Sequence, residues 1–169
     1  MLDMSTAMIW QTVSIGSADS ERLGRLLGEG LKSPEVIELR ADLGGGKTTF
    51  VKGLALGFGS KDTVASPTFT LNKVYKAKDE QAIHHFDFYR LAQPGIVADQ
   101  LAESLANPKV ITVVEWSDIV QNVLPEKRLT VEFKMVADNP DERQVTINYP
   151  ESKADLIKKL ETRWQENRP

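Results

Sequence analysis

The chain has 169 residues, a length that favours one domain and lets it bury a sizeable core. It has no cysteine, which excludes a disulfide scaffold, a thiolate metal site and a cysteine nucleophile. Its only histidines, His84 and His85, exclude a His-rich metal cluster. Lys and Arg number 21 against 24 Asp and Glu, a net charge of −3, so strong direct binding of nucleic acid by this chain is not expected. Residues 1–8 carry no Lys or Arg and so lack the basic start of a signal peptide. Apolar runs such as Val110–Val114 are far too short to span a bilayer. A cytoplasmic location and no membrane contact are the expectation.

In chain order, residues 8–15 are rich in β-branched and aromatic types and predict a strand. Ser17 to Ser20 offers capping oxygens before Leu23, Leu26, Leu27 and Leu31, which recur at helical spacing until Ser33-Pro34 breaks the pattern. Val36 to Leu39 is a second short strand. The glycine run Gly44 to Gly46 opens a helix through Phe50, Val51, Leu54 and Leu56, with Gly57 and Gly59 expected to end it. Residues 69–77 and 81–88 predict a hairpin, residues 95–106 a helix, and Val110 to Glu115 an apolar strand ending in a carboxylate. Residues 129–136 and 143–149 alternate around the turn-rich stretch Asp138 to Asp141. A last helix, about 152–166, is expected to start in a capping box made by Ser152 and Asp155 and to pack through Ile157, Leu160 and Trp164. Strands alternating with helices predict an α/β fold in one domain over 1–169, a mostly parallel central sheet with antiparallel additions at one edge.

The most informative stretch is Ala41-Asp42-Leu43-Gly44-Gly45-Gly46-Lys47-Thr48. A strand precedes it and a helix follows, the context a phosphate-binding loop requires. Glycines let backbone N–H groups turn inward around phosphate oxygens, and the helix N-terminus adds favourable partial charge. Lys47 has the reach for terminal phosphates, and the Thr48 hydroxyl suits magnesium. Ala41 stands where the usual pattern has its first glycine, which is tolerable only at a backbone angle an L-residue accepts.

Such a loop needs a carboxylate at the end of a neighbouring parallel strand, and Glu115 fits. Taken alone, Glu115 reads rather as the first solvent-facing residue after a strand; beside the loop, the magnesium reading is preferred. Ser66-Pro67-Thr68 follows the loop helix where many NTPases carry a nucleotide-sensing segment, although by spacing alone it is an ordinary turn. In the stretch 84–90, strand alternation puts His85, Asp87 and Tyr89 on one face and Phe86 and Phe88 on the other. Asp87, at a strand end, is placed to orient water or magnesium. A structural hydrogen bond is the expected role of His84.

Four motifs in order carry a resemblance: Asp-Leu-Gly-x-Gly-Lys-Thr-Thr-Phe at 42–50, Ser-Pro-Thr-Phe-Thr-Leu at 66–71, His-x-Asp-x-Tyr-Arg at 85–90 and Glu-Trp at 115–116. Together they resemble the TsaE family, the bacterial P-loop ATPases of tRNA threonylcarbamoyladenosine biosynthesis, over about residues 17–149. The resemblance implies a three-layer P-loop NTPase fold that binds ATP or ADP with Mg2+ and hydrolyses ATP. It implies a partner, the TsaB–TsaD transferase that modifies adenosine 37 of tRNA. Residue by residue, Gly44, Gly45, Gly46, Lys47, Thr48 and Thr49 would hold phosphates, and Thr48 and Glu115 would bind magnesium. Lys47, Asp87 and Glu115 would be catalytic. Ser66 and Thr68 would belong to the sensing loop, with Ser17, Trp116, Asp118 and Arg143 near the nucleotide. The chain departs from the family pattern at Ala41, at Ser117 where proline is usual, and across residues 95–105.

Two other classes share such a loop: a stand-alone small P-loop kinase and a nucleotide-sensing module without catalysis. Kinases usually carry an arginine-rich lid, whereas here Arg40 and Arg90 read as isolated and Arg128 and Arg143 lie in the late strands. The coexistence of Lys47, Thr48, Asp87 and Glu115 argues against a purely sensing role.

Overall fold

The computed structural model describes residues 7–42, 46–65, 67, 72–89, 91, 95–166 and 168. Seven strands and four helices follow in the order β1 (Ala7–Ser14), α1 (Ser17–Gly30), β2 (Glu35–Arg40), α2 (Lys47–Phe58), β3 (Asn72–Lys76), β4 (Ala82–Asp87), α3 (Gly95–Ala106), β5 (Val110–Glu115), β6 (Leu129–Val136), β7 (Asn139–Pro150) and α4 (Ala154–Gln165). They form one sheet in the order β1-β7-β6-β2-β5-β4-β3. Strands β6, β2, β5 and β4 are mutually parallel, and β1 runs the same way because β7 is antiparallel to both its neighbours.

The antiparallel strands therefore lie on both flanks, β7 towards one side and β3 at the other edge, rather than at a single edge. Each arises from a hairpin, and a hairpin partner must run antiparallel. The late turn is tighter than the sequence suggests. Ala137 and Asp138 make it, with Asp138 at φ 67, and β7 already begins at Asn139. Aspartate tolerates that left-handed geometry, and the register shift at Met135/Val136 absorbs the offset.

Alternation along the strands divides the core between two faces. Ile37, Leu39, Ile83, Ile111, Val113 and Val131 pack with Leu23 and Leu27 of α1, Phe50 and Leu54 of α2, and Ile157 and Trp164 of α4. On the other face Phe86, Phe88 and Val114 pack with Leu101 of α3 and with Val120 and Leu124. Full burial of each large side chain contributes roughly 1.5–3 kcal/mol.

Helix α1 meets α2 backbone to backbone. A Cβ at Gly24 would lie 2.1 Å from the Phe50 carbonyl oxygen, at Gly28 2.3 Å from that of Leu54, at Gly53 1.9 Å from that of Glu21, and at Gly57 2.1 Å from that of Arg25. Contacts advance together along both helices, so the two run parallel. Gly57 is thus a packing position inside α2, not a terminator; the helix ends at Gly59, whose φ of 102 is the left-handed cap.

Helix α4 lies against α1. Trp164 is buried, its indole N–H donates to Thr12 Oγ1 at 2.6 Å, and the Arg22 guanidinium lies 4.8 Å above its ring. Arg22 also donates to the carbonyls of Arg163, Trp164 and Glu166, satisfying acceptors that a helix C-terminus leaves open. The expected capping box is not formed. Residues Glu151–Lys153 make a 3-10 turn, and α4 starts at Ala154 without a side-chain cap. Lys153 instead pairs with the buried Glu35 at 2.5 Å, which ties this entry to the start of β2.

Gly53→Ala forces a methyl into the Glu21 carbonyl. Alanine's helix propensity offsets about 1 kcal/mol of the cost. The expected outcome is a net loss of about 1–3 kcal/mol in urea unfolding, because backbone has to move.

Candidate functional site

The C-terminal ends of three parallel strands meet at one place. Leu39 of β2 pairs in register with Glu115 of β5, and Glu115 with Asp87 of β4. Strand β5 is buried along its whole length, so Glu115 is an interior carboxylate and not the first solvent-facing residue after the strand. Its side chain shares the face that carries α2, as alternation from Ile111 and Val113 requires. The Phe88 N–H donates to the Glu115 carbonyl at 3.0 Å, and the Tyr89 N–H to Asp87 Oδ1 at 2.8 Å, so the chain turns directly after both carboxylates.

Lys47 opens α2 and is buried. Its ammonium donates to the Ala41 carbonyl at 2.9 Å and lies 4.5 Å from the centroid of the Trp116 ring. That cation–π contact and the hydrogen bond fix the ammonium at the head of the helix. Gly46 precedes it at φ 94, a conformation that needs glycine. Ala41 is not among the described residues with positive φ, so its methyl costs no backbone strain. Trp116 itself sits at φ 54, an uncommon conformation for so large a side chain, with the Tyr89 ring 5.0 Å away.

Two cavities adjoin the loop. One of about 470 Å³ opens at its end, lined by Gly16, Ser17, Gly46, Thr49, Pro140 and Arg143 among others. It brings together Ser17 and Arg143, which are 126 positions apart in the chain (143 − 17). The other, about 380 Å³, opens at its beginning between Arg40–Asp42, Trp116–Asp118 and Glu132–Lys134. The residues expected near a nucleotide are therefore distributed: Ser17, Thr49 and Arg143 on one cavity, Trp116 and Asp118 on the other, with Lys47 against Trp116. Thr48 is exposed on the first turn of α2. Gly44, Gly45, Ser66 and Thr68 lie outside the described residues.

The residues present suit a magnesium ion shared with a phosphate. Glu115 is a buried carboxylate whose Oε1, 3.3 Å from His85 Nε2, has no aligned hydrogen bond among the described residues. No three acidic or histidine side chains among those residues form a metal cage. Mg2+ is commonly held in this way, by one or two protein ligands with phosphate and water completing the shell. His84, by contrast, bonds Ser104 Oγ at 3.0 Å, as expected, and burial pushes its pKa down.

One cluster was not visible in the sequence reading. Glu38, fully buried in β2, accepts hydrogen bonds from Arg40 (2.8 Å), Arg128 (2.7 Å), Ser117 (2.6 Å) and Gln121 (2.9 Å). Arg40 is thus not isolated. Ser117, at the position where the family pattern has proline, ties the turn after Trp116 to this carboxylate. The only available signal was a glutamate inside an apolar strand, since its partners lie up to 90 positions away. Burial opposes ionisation of Glu38, but the four hydrogen bonds together outweigh it and hold the pKa at about 2.

The sheet order, the loop after a central strand and the helix it opens define an α/β protein of P-loop NTPase fold. The family described as "Threonylcarbamoyl adenosine biosynthesis protein TsaE" matches residues 16–145. The Treponema pallidum tRNA threonylcarbamoyladenosine biosynthesis protein TsaE is 37% identical over 80% of this chain and 97% of its own. The Bacillus subtilis protein of that name is 34% identical over 81% and 82%. The crystal structure of Bacillus subtilis YdiB aligns at a TM-score of 0.72 and 30% identity, covering 93% of this chain and 95% of that one. The chain belongs to the TsaE family, in tRNA threonylcarbamoyladenosine biosynthesis. No helix among the described residues is long and apolar enough to cross a membrane.

The Glu38 pKa lies below its ordinary 4.5, so its stabilisation is complete above about pH 4.5 and is lost as pH falls towards 2. Glu38→Gln is expected to lower stability at pH 7 by about 2 kcal/mol, the range of hydrogen bonds to a charged group. The gap to the wild type should narrow from pH 4.5 down to pH 2.5. Urea unfolding across that range measures it.

Proposed function

We propose that this protein binds ATP with magnesium and hydrolyses it in support of a TsaB–TsaD threonylcarbamoyl transferase acting on adenosine 37 of tRNA in the cytoplasm. The observation that carries the reading is a buried Lys47 held at the head of α2 by the Ala41 carbonyl and the Trp116 ring, with two carboxylates, Asp87 and Glu115, buried in register at adjoining strand ends. Backbone N–H groups of Gly44 to Thr49 cradle the phosphates, and Lys47 exchanges the Ala41 carbonyl for a terminal phosphate oxygen. Thr48 and Glu115 would hold the magnesium, which would supply charge neutralisation at the terminal phosphate. Asp87 orients the attacking water. Ser17, Thr49 and Arg143 line the cavity at the end of the loop, which takes the remainder of the nucleotide. Trp116 covers Lys47 and limits access of water, and Asp118 stands at its border. Ser66 and Thr68 sense the terminal phosphate. On this reading the transfer itself is the partner's, and hydrolysis by this chain serves the partner's turnover.

The kinase reading gains no support. Arg40 and Arg128 are both committed to Glu38, and neither guanidinium forms a lid over the loop.

Calorimetric titration of Mg-ATP into wild type and Lys47→Ala tests the site. The expected result is a loss of about 10- to 100-fold in affinity, the weight of one charge-assisted contact. Unchanged affinity refutes the assignment of the loop. Asp87→Ala is expected to keep affinity within about threefold and to lower phosphate release at least about 100-fold in the presence of TsaB–TsaD, as loss of a water-orienting group does. Phosphate release that the partners leave unchanged refutes the partner-dependent reading.

A further inference from the structure

A buried row of three side chains leads away from the candidate magnesium carboxylate and ends on the segment after α2. His85 is fully buried on β4, on the same face as Asp87 two residues later. Its Nε2 lies 3.3 Å from Glu115 Oε1, and its Nδ1 lies 3.5 Å from the Tyr75 hydroxyl. Tyr75, on β3, is 2% exposed, and its hydroxyl donates to the Ala65 carbonyl at 2.8 Å. Ala65 immediately precedes Ser66-Pro67.

The chemistry of this row is asymmetric. A bare nitrogen lone pair facing a carboxylate oxygen would be repelled, so His85 Nε2 carries a proton, and in the neutral ring Nδ1 is then the acceptor. The Tyr75 hydroxyl then has one proton and two acceptors within reach, the Ala65 carbonyl and His85 Nδ1. Burial pushes the Tyr75 pKa up despite the bond to Ala65, so that proton stays in place at neutral pH. His85 Nε2 and Glu115 Oε1 both lack a properly aligned hydrogen bond. The contact is close but not made.

We propose that Tyr75 and His85 are positioning residues that couple the segment at Ala65 to Glu115. While the Ala65 carbonyl holds the hydroxyl proton, His85 is loosely seated. When that carbonyl withdraws, the proton turns to His85 Nδ1, the ring is fixed, and Nε2–H closes on Glu115 Oε1. Glu115 then presents its other oxygen in one orientation. A ligating carboxylate oriented by a hydrogen-bonded neighbour typically gains 10- to 100-fold in metal affinity. No bond other than hydrogen bonds changes. The inference rests on the proposed magnesium role of Glu115.

The test uses the full chain with ADP, so that no turnover intervenes. Mn2+ is titrated into ADP-saturated protein, and ADP is titrated separately without metal. Tyr75→Phe, which deletes one oxygen, and His85→Leu are each expected to weaken Mn2+ by about tenfold while leaving metal-free ADP affinity within about twofold. His85→Gln, which keeps an N–H donor, restores part of the loss. The double variant is no weaker than His85→Leu, since the two act in one line. Amide exchange in residues 61–65 changes when Mn2+ joins ADP in the wild type and does not change in Tyr75→Phe. Should His85→Leu fail to fold, Tyr75→Phe and His85→Gln carry the test. Unchanged Mn2+ affinity in folded Tyr75→Phe overturns the proposal, as does an exchange change that persists there. Wild type that binds ADP but no Mn2+ overturns this inference and the magnesium role of Glu115 on which it rests, and leaves the nucleotide site standing. Wild type that binds neither overturns the proposed function and this inference with it.

Discussion

The contact on which the rest of the site depends is the approach of α1 to α2 with no side chain between them. Four glycines, two on each helix, bring main chain against main chain. Parallel helices in that register begin at the same level, so Ser17 and Lys47 open their helices side by side. The cavity lined by Ser17, Gly46 and Thr49 exists because of that alignment. A thicker interface would push the first helix away from the loop and open the cavity to solvent. The short-range bonds at the start of α1 serve the same end. Ser14 bonds Ser20 at 2.6 Å, and the Ile15 N–H bonds Asp19 at 3.1 Å, so the chain leaves β1 in one direction only.

Charge is handled differently on the two faces of the sheet. On the α3 face Glu38 is buried and met by four donors, two of them guanidinium groups. That carboxylate is fully engaged and holds the turn that carries Trp116. On the α2 face Glu115 is equally buried but keeps an oxygen with no aligned donor. Two interior glutamates, one satisfied and one not, separate a structural role from a site open to a further ligand.

Periodicity and turn chemistry in the sequence were enough to locate the helices and strands of the described residues, though not all of their ends, because each signal is local. The loop and Glu115 were legible for the same reason: Gly-Lys-Thr between a strand and a helix, and a carboxylate ending an apolar run. What stayed hidden depends on distant partners. Nothing near Glu38 announces Arg128, and nothing in Gly24 or Gly53 announces that another helix presses on it. Tyr75 and His85 meet only once β3 and β4 are paired. The failed capping box at Ser152 has the same origin, since Lys153 answers to Glu35 and not to its own helix. Likewise Asp138 takes a left-handed turn that a count of turn residues placed two positions later.

The position of β1 has a consequence for how the chain is made. In the sheet this strand pairs only with β7, and the Trp164 that seals its Thr12 lies further on still. Some 130 residues must leave the ribosome before β1 finds its partner, while α1 and α2 can dock much earlier. Until then Met8, Ile9 and Trp10 belong to a strand without its β7 partner. Pairing with β7 closes only one side of β1: it remains an edge strand of the finished sheet, with Met8 and Ile9 still exposed.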